Sequence, residues 1–430
     1  MNVKKTGVLL IVVLLVITIF SSCGGGKKEA ASDNTPAVEL VYWSMWNETE
    51  PQAMVLKEAI KDFEKQNEDV TVHIQWNGRE IRKTLQPALD AGTKIDMWDE
   101  DLERIVKTWQ SYSLKLDDYY SKEYPSTAGK KFSDTVMPSL QEHLRKLSTD
   151  GGLYAVPYQP YVVAVFYNKD HFDKAGITSV PETWDEFLAA CEKLKNAGFT
   201  PITIDDAYMD LPIGLHLNRM LGEPSEVEAL VKEGGSKWDD PRVLQVAKDF
   251  EELASKGYMS PQVADNKWPA GQQEVATGQV SIYFLNGTWL PNEVMATAGE
   301  DFRWGQFAYP KVNGGVNKNY ETFGAQGFQI SNKCTNPDTA FALAAHLTTG
   351  KWDKELSVKT YGAPMDTSMP WPKQIAESKP IFENIDGFIP WSGGLAADPD
   401  VFPIVKAAFT KLLSGKITAE EFISEVKENQ

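Results

Sequence analysis

Residues 38–109 alternate between two hydrophobic periods, and that alternation limits the fold more than any other feature of the chain. Val38–Ser44, VELVYWS, is apolar and β-branched and reads as a strand. From Pro51 onward Met54, Leu56, Ile60 and Phe63 recur at helical spacing, which predicts a helix ending near Asn67. Val70–Trp76 alternates as a second strand. Residues 79–91 read as a second helix closed by Gly92, and residues 94–98 as a third strand. Asp99, Glu100 and Asp101 are expected to open the next helix, because acidic groups suit its positive end. A β-α-β-α-β-α run predicts a largely parallel sheet covered by helices.

Residues 151–170, GGLYAVPYQPYVVAVFYNKD, hold a second long strand. The glycine pair permits a tight turn. Pro157 and Pro160 hold Tyr158 and Gln159 extended, and the run from Tyr161 to Tyr167 is aromatic and β-branched. Two readings compete for its phenols: core aromatics of a large domain, or a strand that passes a cleft and lends polar rings to a ligand. Further on, Thr183 and Glu186 form a capping box at the head of a helix that Gly198 stops. Strands are expected at residues 201–204, 280–285, 302–308 and 324–330. Helices are expected at 212–258, interrupted near Gly234, and at 268–278, 338–348, 402–413 and 418–427.

The first 22 residues read as a signal peptide: Lys4 and Lys5, then an apolar run from Val8 to Phe20 too short to span a bilayer comfortably. Ser21, Ser22 and Cys23 resemble a bacterial lipoprotein processing site, with Phe20 where leucine is usual. Lipidation is expected at Cys23, followed by a flexible tether to residue 36. Cys191 and Cys334 remain and are expected as free thiols: Cys191 sits on the apolar face of a helix and Cys334 in a loop. A formal net charge of −17 argues against a nucleic-acid or anionic-membrane partner. There is no phosphate-binding loop, no dinucleotide fingerprint, no metal-ligand spacing and no nucleophile elbow. No catalytic residue, metal or cofactor is therefore assigned, and His73, His143, His171, His216 and His346 are read as structural.

Aromatic and short polar side chains recur just past the strand ends, where ligands gather in open α/β sheets. Trp43, Trp46, Asn47 and Glu48 follow the first strand, and Asp99, Glu100 and Asp101 the third. Tyr158, Gln159 and Tyr161 lie on the long strand; Asp205, Asp206 and Tyr208 follow residue 204; Trp289 follows residue 285. A sugar ring offers two C–H faces and a rim of hydroxyls. Flat aromatics cover the faces, and carboxylates and amides take the hydroxyl hydrogens. Thirteen tryptophans, many beside Asn, Asp or Glu, supply that pairing.

From about residue 37 onward the chain resembles the extracellular solute-binding proteins of bacterial ABC importers, in the carbohydrate-binding family that includes maltose-binding proteins. The marks are the lipoprotein start, LVYWSMWNETE, LQPALDAGTKIDMW with its acidic loop, GGLYAVPYQPYVVAVFYNKDHFDKAGI, PETWDEFLAACEKLKNAG, ATGQVSIYFLNGTW, FGAQGFQIS, YGAPM and LLSGKITAEEF. The resemblance implies a two-lobed α/β periplasmic-binding-protein fold of type II, each lobe a mainly parallel sheet flanked by helices. Residues 37–158 and 328–361 would form the N-terminal lobe, and 159–327 and 362–430 the C-terminal lobe. Crossings are implied near residues 159–163, 323–327 and 361–364, which puts Cys191 and Cys334 on different lobes. A sugar would lie between the lobes on Trp43, Trp46, Asn47, Glu48, Asp99, Glu100, Asp101, Tyr158, Gln159, Tyr161, Asp206, Tyr208 and Trp289. Trp268, Trp371, Trp391 and Phe402 are further candidates. The implied partners are a carbohydrate and the permease subunits of an ABC importer; the protein is expected as a monomer that meets the membrane only through its lipid. The charged residues that maltodextrin binders use in the first loop are not reproduced, so maltose is not implied. Two other readings stay open: a binder of a polyol or glycerophosphodiester, which would need a basic cleft residue, and a surface glycosidase. Arg79 is the candidate for such a residue, although its helical setting favours the surface.

Overall fold

The computed structural model describes residues 38–430. The signal peptide, Cys23 and the tether lie outside the described residues. Ten strands are present among those described: β1 (Val38–Ser44), β2 (Val70–Trp76), β3 (Met97–Asp101), β4 (Val156–Asn168), β5 (Thr200–Thr203), β6 (Val280–Gly287), β7 (Trp304–Phe307), β8 (Tyr320–Glu321), β9 (Phe323–Ile330) and β10 (Gly387–Phe388). The main sheet runs β2-β1-β3-β9-β4-β6-β5, with β7 also paired to β4. The β1–β2, β1–β3 and β5–β6 pairs are parallel. β9 lies antiparallel to β3 and β4, and β4 antiparallel to β6 and β7. Within the main sheet the parallel character is thus confined to the βαβ units. β4 and β9, adjacent at the centre of the sheet, run against their neighbours instead.

Two separate hydrophobic cores flank this sheet. The first gathers Leu40, Tyr42, Trp98, Leu102, Phe328 and Phe341; the second gathers Phe166, Trp184, Phe187, Phe250, Phe284 and Phe409. β4 belongs to both. Its residues up to Val162 pack in the first core and those from Val163 in the second. The backbone follows suit: Val156 to Val162 pairs with β9, and Val163 to Asn168 with β6 and β7. A bulge falls between Tyr158 and Tyr161, where Gln159 takes φ +46°. The flanking prolines lack the N–H that an unbroken ladder would need, so a bulge is the local solution.

The other two passages between the cores differ from the expected positions. Residues 323–327 belong to β9 in the first core, and the chain passes over between Val312 and Phe323. Residues near 361–364 also stay with the first core, through Ala363 and Met365, and the next passage comes between Phe382 and Ile389. These two passages pair with each other, β8 beside β10 in parallel. The sequence offers no apolar run there, which is why the crossings are hard to see in it.

β3 also starts later than expected, at Met97, so Asp99 and Glu100 are strand residues and Asp101 is the N-cap of the helix Leu102–Trp109. A further helix, Gly350–Thr360, lies outside the expected elements. Thr183 and Glu186 do form the capping box of the helix Trp184–Asn196. Cys191 and Cys334 are free thiols, packed with the second and first cores respectively.

Arg219, on the helix Asp210–Leu221, fastens the β8 passage to the second core. Its buried guanidinium donates to the carbonyls of Lys318 and Tyr320 and to the Glu321 carboxylate, at 2.9, 2.6 and 2.5 Å. Burial pushes the Glu321 carboxyl up, and Arg219 opposes that. Removing the cation would strand a buried acid. Arg219→Met is therefore expected to destabilise the protein by about 3 kcal/mol or more. Chemical denaturation measures this, and an unchanged midpoint would contradict it.

Candidate functional site

Where β4 passes between the cores, a cleft of about 890 Å³ opens. Pro160, Tyr161 and Gln159 form its back, with Gln326 of β9 and Thr360 beside them. The Gln159 amide donates to the Thr360 hydroxyl, which fixes the bulge against the end of the helix Gly350–Thr360.

One wall carries charge. Arg79 donates to both oxygens of Glu50 at 3.0 Å and to the Met45 carbonyl, and its guanidinium lies 4.7 Å from the Trp46 ring centre. Arg82 holds the buried Glu100 through two hydrogen bonds of 2.5 and 3.0 Å, and Arg104 stands 3.9 Å from the same carboxylate. Lys107 pairs with Glu103 one helical turn away. Every cation on this wall therefore has a carboxylate partner among the described residues. Asp101 accepts from the Arg104 backbone and from the Tyr161 hydroxyl, and burial raises its carboxyl above the ordinary range.

The opposite wall is aromatic. Trp289 and Trp391 stack with ring centres 6.1 Å apart and 17° between planes. Tyr161 meets Trp289 edge-on at 4.8 Å, and Tyr208 lies 6.2 Å from Trp391 and accepts the Trp289 indole N–H at 3.3 Å. Trp289 fits only because Gly287 has no side chain: a Cβ there would lie 2.3 Å from the indole. Trp391 precedes three residues with positive φ, Ser392, Gly393 and Gly394. That turn lies on the Gly214 backbone, where an added Cβ would come within 2.4 Å of the Ser392 carbonyl. Asn218 and Asp210 tie the turn down through the Gly393 carbonyl and the Ser392 hydroxyl. Trp268 and Glu293 complete this side. Burial, followed by weaker opposing hydrogen bonds from Gln272 and Trp268, leaves the Glu293 carboxyl raised.

The structure brings together Trp46, Glu100, Asp101, Gln159, Tyr161, Tyr208, Trp268, Trp289 and Trp391 around the cleft. The remaining expected residues do other work. Trp43 packs against the first core, Glu48 pairs with Lys57, and Asn47 bonds Glu50 in a turn. Asp206 accepts from Lys267 and from the Trp268 backbone, Phe402 packs on the second core, and Trp371 lies against Phe382. Tyr158 and Asp99 sit beneath the cleft wall: the Trp46 indole donates to the Tyr158 hydroxyl at 2.8 Å, and that hydroxyl donates to Asp99 at 2.5 Å. Asp99 also accepts the Met45 N–H at 3.0 Å. The chain Asp99–Tyr158–Trp46 thus ties the first loop, β3 and β4 into one unit. Arg79, the candidate basic cleft residue, does line the cleft, although a helical setting favours the surface. Arg82, Arg104, Lys107 and Glu293 escaped sequence reading, although Glu100 and Arg104 at helical spacing, and Glu293 four residues past Trp289, were available signals.

Residues 58–383 match the family described as bacterial extracellular solute-binding protein, and the chain belongs to that family. A Brucella abortus protein described as a binding protein is 25% identical over 274 residues, 61% of each chain, so the match spans about three fifths of that relative's length. A Mesorhizobium japonicum protein described as a probable sugar-binding periplasmic protein is 26% identical over 317 residues, 70% of this chain and 72% of its own. Among solved structures, a chitin oligosaccharide binding protein superposes with a TM-score of 0.68 at 22% identity, covering 91% of this chain and 98% of that one. A Streptomyces coelicolor protein described as a probable secreted solute-binding lipoprotein gives a TM-score of 0.73 at 14% identity, covering 92% and 99%. These likenesses establish the two-lobed fold. No helix among the described residues is long and apolar enough to cross a membrane.

Burial raises the Asp99 carboxyl from 3.8 to about 6, against the hydrogen bonds from Tyr158 and Met45. A raised folded pKa favours the folded state below the unfolded value and loses that favour as pH climbs through the folded one. Relative to Asp99→Asn, the parent protein is thus expected to lose about 3 kcal/mol between pH 3.5 and 7. Denaturation midpoints across that range test it, and parallel curves for the two proteins would contradict it.

Proposed function

We propose that this protein captures a carbohydrate between its two lobes and hands it to the permease subunits of an ABC importer. The observation that carries the reading is the pairing of an aromatic wall with a wall on which every cation already has a carboxylate partner, Arg82 and Arg104 sharing Glu100. An anionic solute would have to compete with Glu50, Glu100 and Glu103 for these cations. A sugar needs none of that: its C–H faces cover the indoles and its hydroxyls meet carboxylates and guanidinium edges. This favours a sugar over a glycerophosphodiester. Relatives described as sugar-binding, including a multiple sugar-binding protein of Streptococcus mutans that is 26% identical over 163 residues, support the same choice.

In this reading the cleft residues from Trp46 to Trp391 hold the ligand, and Trp43, Asn47, Glu48, Asp99, Tyr158, Asp206 and Phe402 support them from behind or beside. The lobes divide with the cores, at about residues 162, 322 and 388, and close about the three passages when sugar touches both walls. The mechanism is conformational, without bond chemistry. Cys23 carries the lipid that tethers a monomer at the outer face of the membrane.

Calorimetry and tryptophan fluorescence against mono- and oligosaccharides test the proposal. Binding is expected to vary little with salt, and Trp289→Ala to weaken it about tenfold or more. Silence across the sugar panel, together with salt-sensitive binding of a glycerophosphodiester, would overturn it.

A further inference from the structure

Trp268 stands apart from the other cleft aromatics. Tyr161, Tyr208, Trp289 and Trp391 cover one another in a connected set, and Trp268 takes no part in it. It is 49% exposed, and it is the one aromatic among the described residues with a large, exposed apolar side chain. Yet the backbone that carries it is tied down. Asp206 accepts the Trp268 N–H and the Lys267 ammonium, both at 3.0 Å, and the Ala270 N–H closes back on the Lys267 carbonyl at 2.7 Å. Asp206 is itself held by its own N–H on the Asn266 carbonyl at 3.0 Å.

Beside the indole lies Glu293. Gln272 donates to it at 2.7 Å, and no cation lies within ion-pair distance among the described residues. Its carboxylate keeps acceptor capacity open to the cleft. An exposed ring on a tethered backbone, next to an acceptor without an ion-pair partner among the described residues, is the smallest unit that recognises one sugar: a face to stack on and an oxygen for a hydroxyl.

Resting on the carbohydrate reading above, we propose that Trp268 and Glu293 form an outer subsite, separate from the Tyr161–Trp289–Trp391 group, and that the ligand is an oligosaccharide long enough to fill both. The inner group anchors one unit. Trp268 gains its apolar burial only when a further unit extends over it, so it reads chain length.

The test is calorimetry with xylo-, chito- and malto-oligosaccharides of one to four units, on the parent, Trp268→Ala, Glu293→Gln and Trp289→Ala proteins. In whichever series binds, affinity for the parent is expected to rise about tenfold or more from the shortest to the longest binding member. Trp268→Ala and Glu293→Gln should cut the affinity of the longest member several times more than that of the shortest, with unchanged melting temperatures. Trp289→Ala should weaken all members alike. Affinity independent of length, or equal losses for short and long members in Trp268→Ala, would overturn the outer subsite while leaving sugar binding intact. Failure of the parent to bind any series would instead remove the carbohydrate reading on which the subsite rests.

Discussion

Everything in this molecule depends on one strand serving two cores. β4 pairs with β9 over its first half and with β6 and β7 over its second, so the same backbone is part of both hydrophobic assemblies. A strand shared in this way cannot be flat and regular throughout. The bulge at Gln159, set by two prolines, breaks the ladder on the first-core side of the change of partner and turns Gln159 and Tyr161 toward the cleft. The passage between cores and the back of the cleft are thereby one piece of chain. Motion of one core relative to the other must act on the residues that line the cleft.

The supporting contacts follow from that constraint. Asp99, Tyr158 and Trp46 bind β3, β4 and the loop after β1 into a unit on one side. Arg219 gathers the carbonyls of the β8 passage and Glu321 on the other. Both clusters are buried and polar, and buried polar groups hold their geometry because leaving any one unpaired is costly. Each cluster thus ties one of the passages between the cores to the core beside it. The β8–β10 pair, only two residues long on each strand, joins the two later passages to each other.

Much of the fold is legible in the sequence because helical and strand periods are local properties. The opening βαβ units, the capping box at Thr183 and the aromatic character of β4 all follow from neighbours a few residues apart. Asp99 and Glu100 show where local reasoning stops. Acidic residues after a strand read as a helix start, yet here they are buried in β3, because Tyr158 and the Met45 N–H satisfy one and Arg82 the other. Two of these partners lie more than fifty residues away in sequence. The same applies to the cleft. Tyr208 and Trp289 are legible as aromatics past strand ends and Trp391 only as a looser candidate, but the ion pairs of the facing wall exist only once residues such as Arg79 and Glu50, twenty-nine apart, are folded together. Glu48 and Asn47 follow Trp46 directly in sequence, yet in the fold their polar groups are taken by Lys57 and Glu50.

The central claim is that two stiff lobes close on a sugar about the β4 bulge and its companion passages. Small-angle X-ray scattering of the protein with and without a saturating oligosaccharide tests it most directly. The account predicts a smaller radius of gyration and a narrower pair-distance distribution when the sugar is bound. Binding confirmed by calorimetry but with superimposable scattering curves would contradict it.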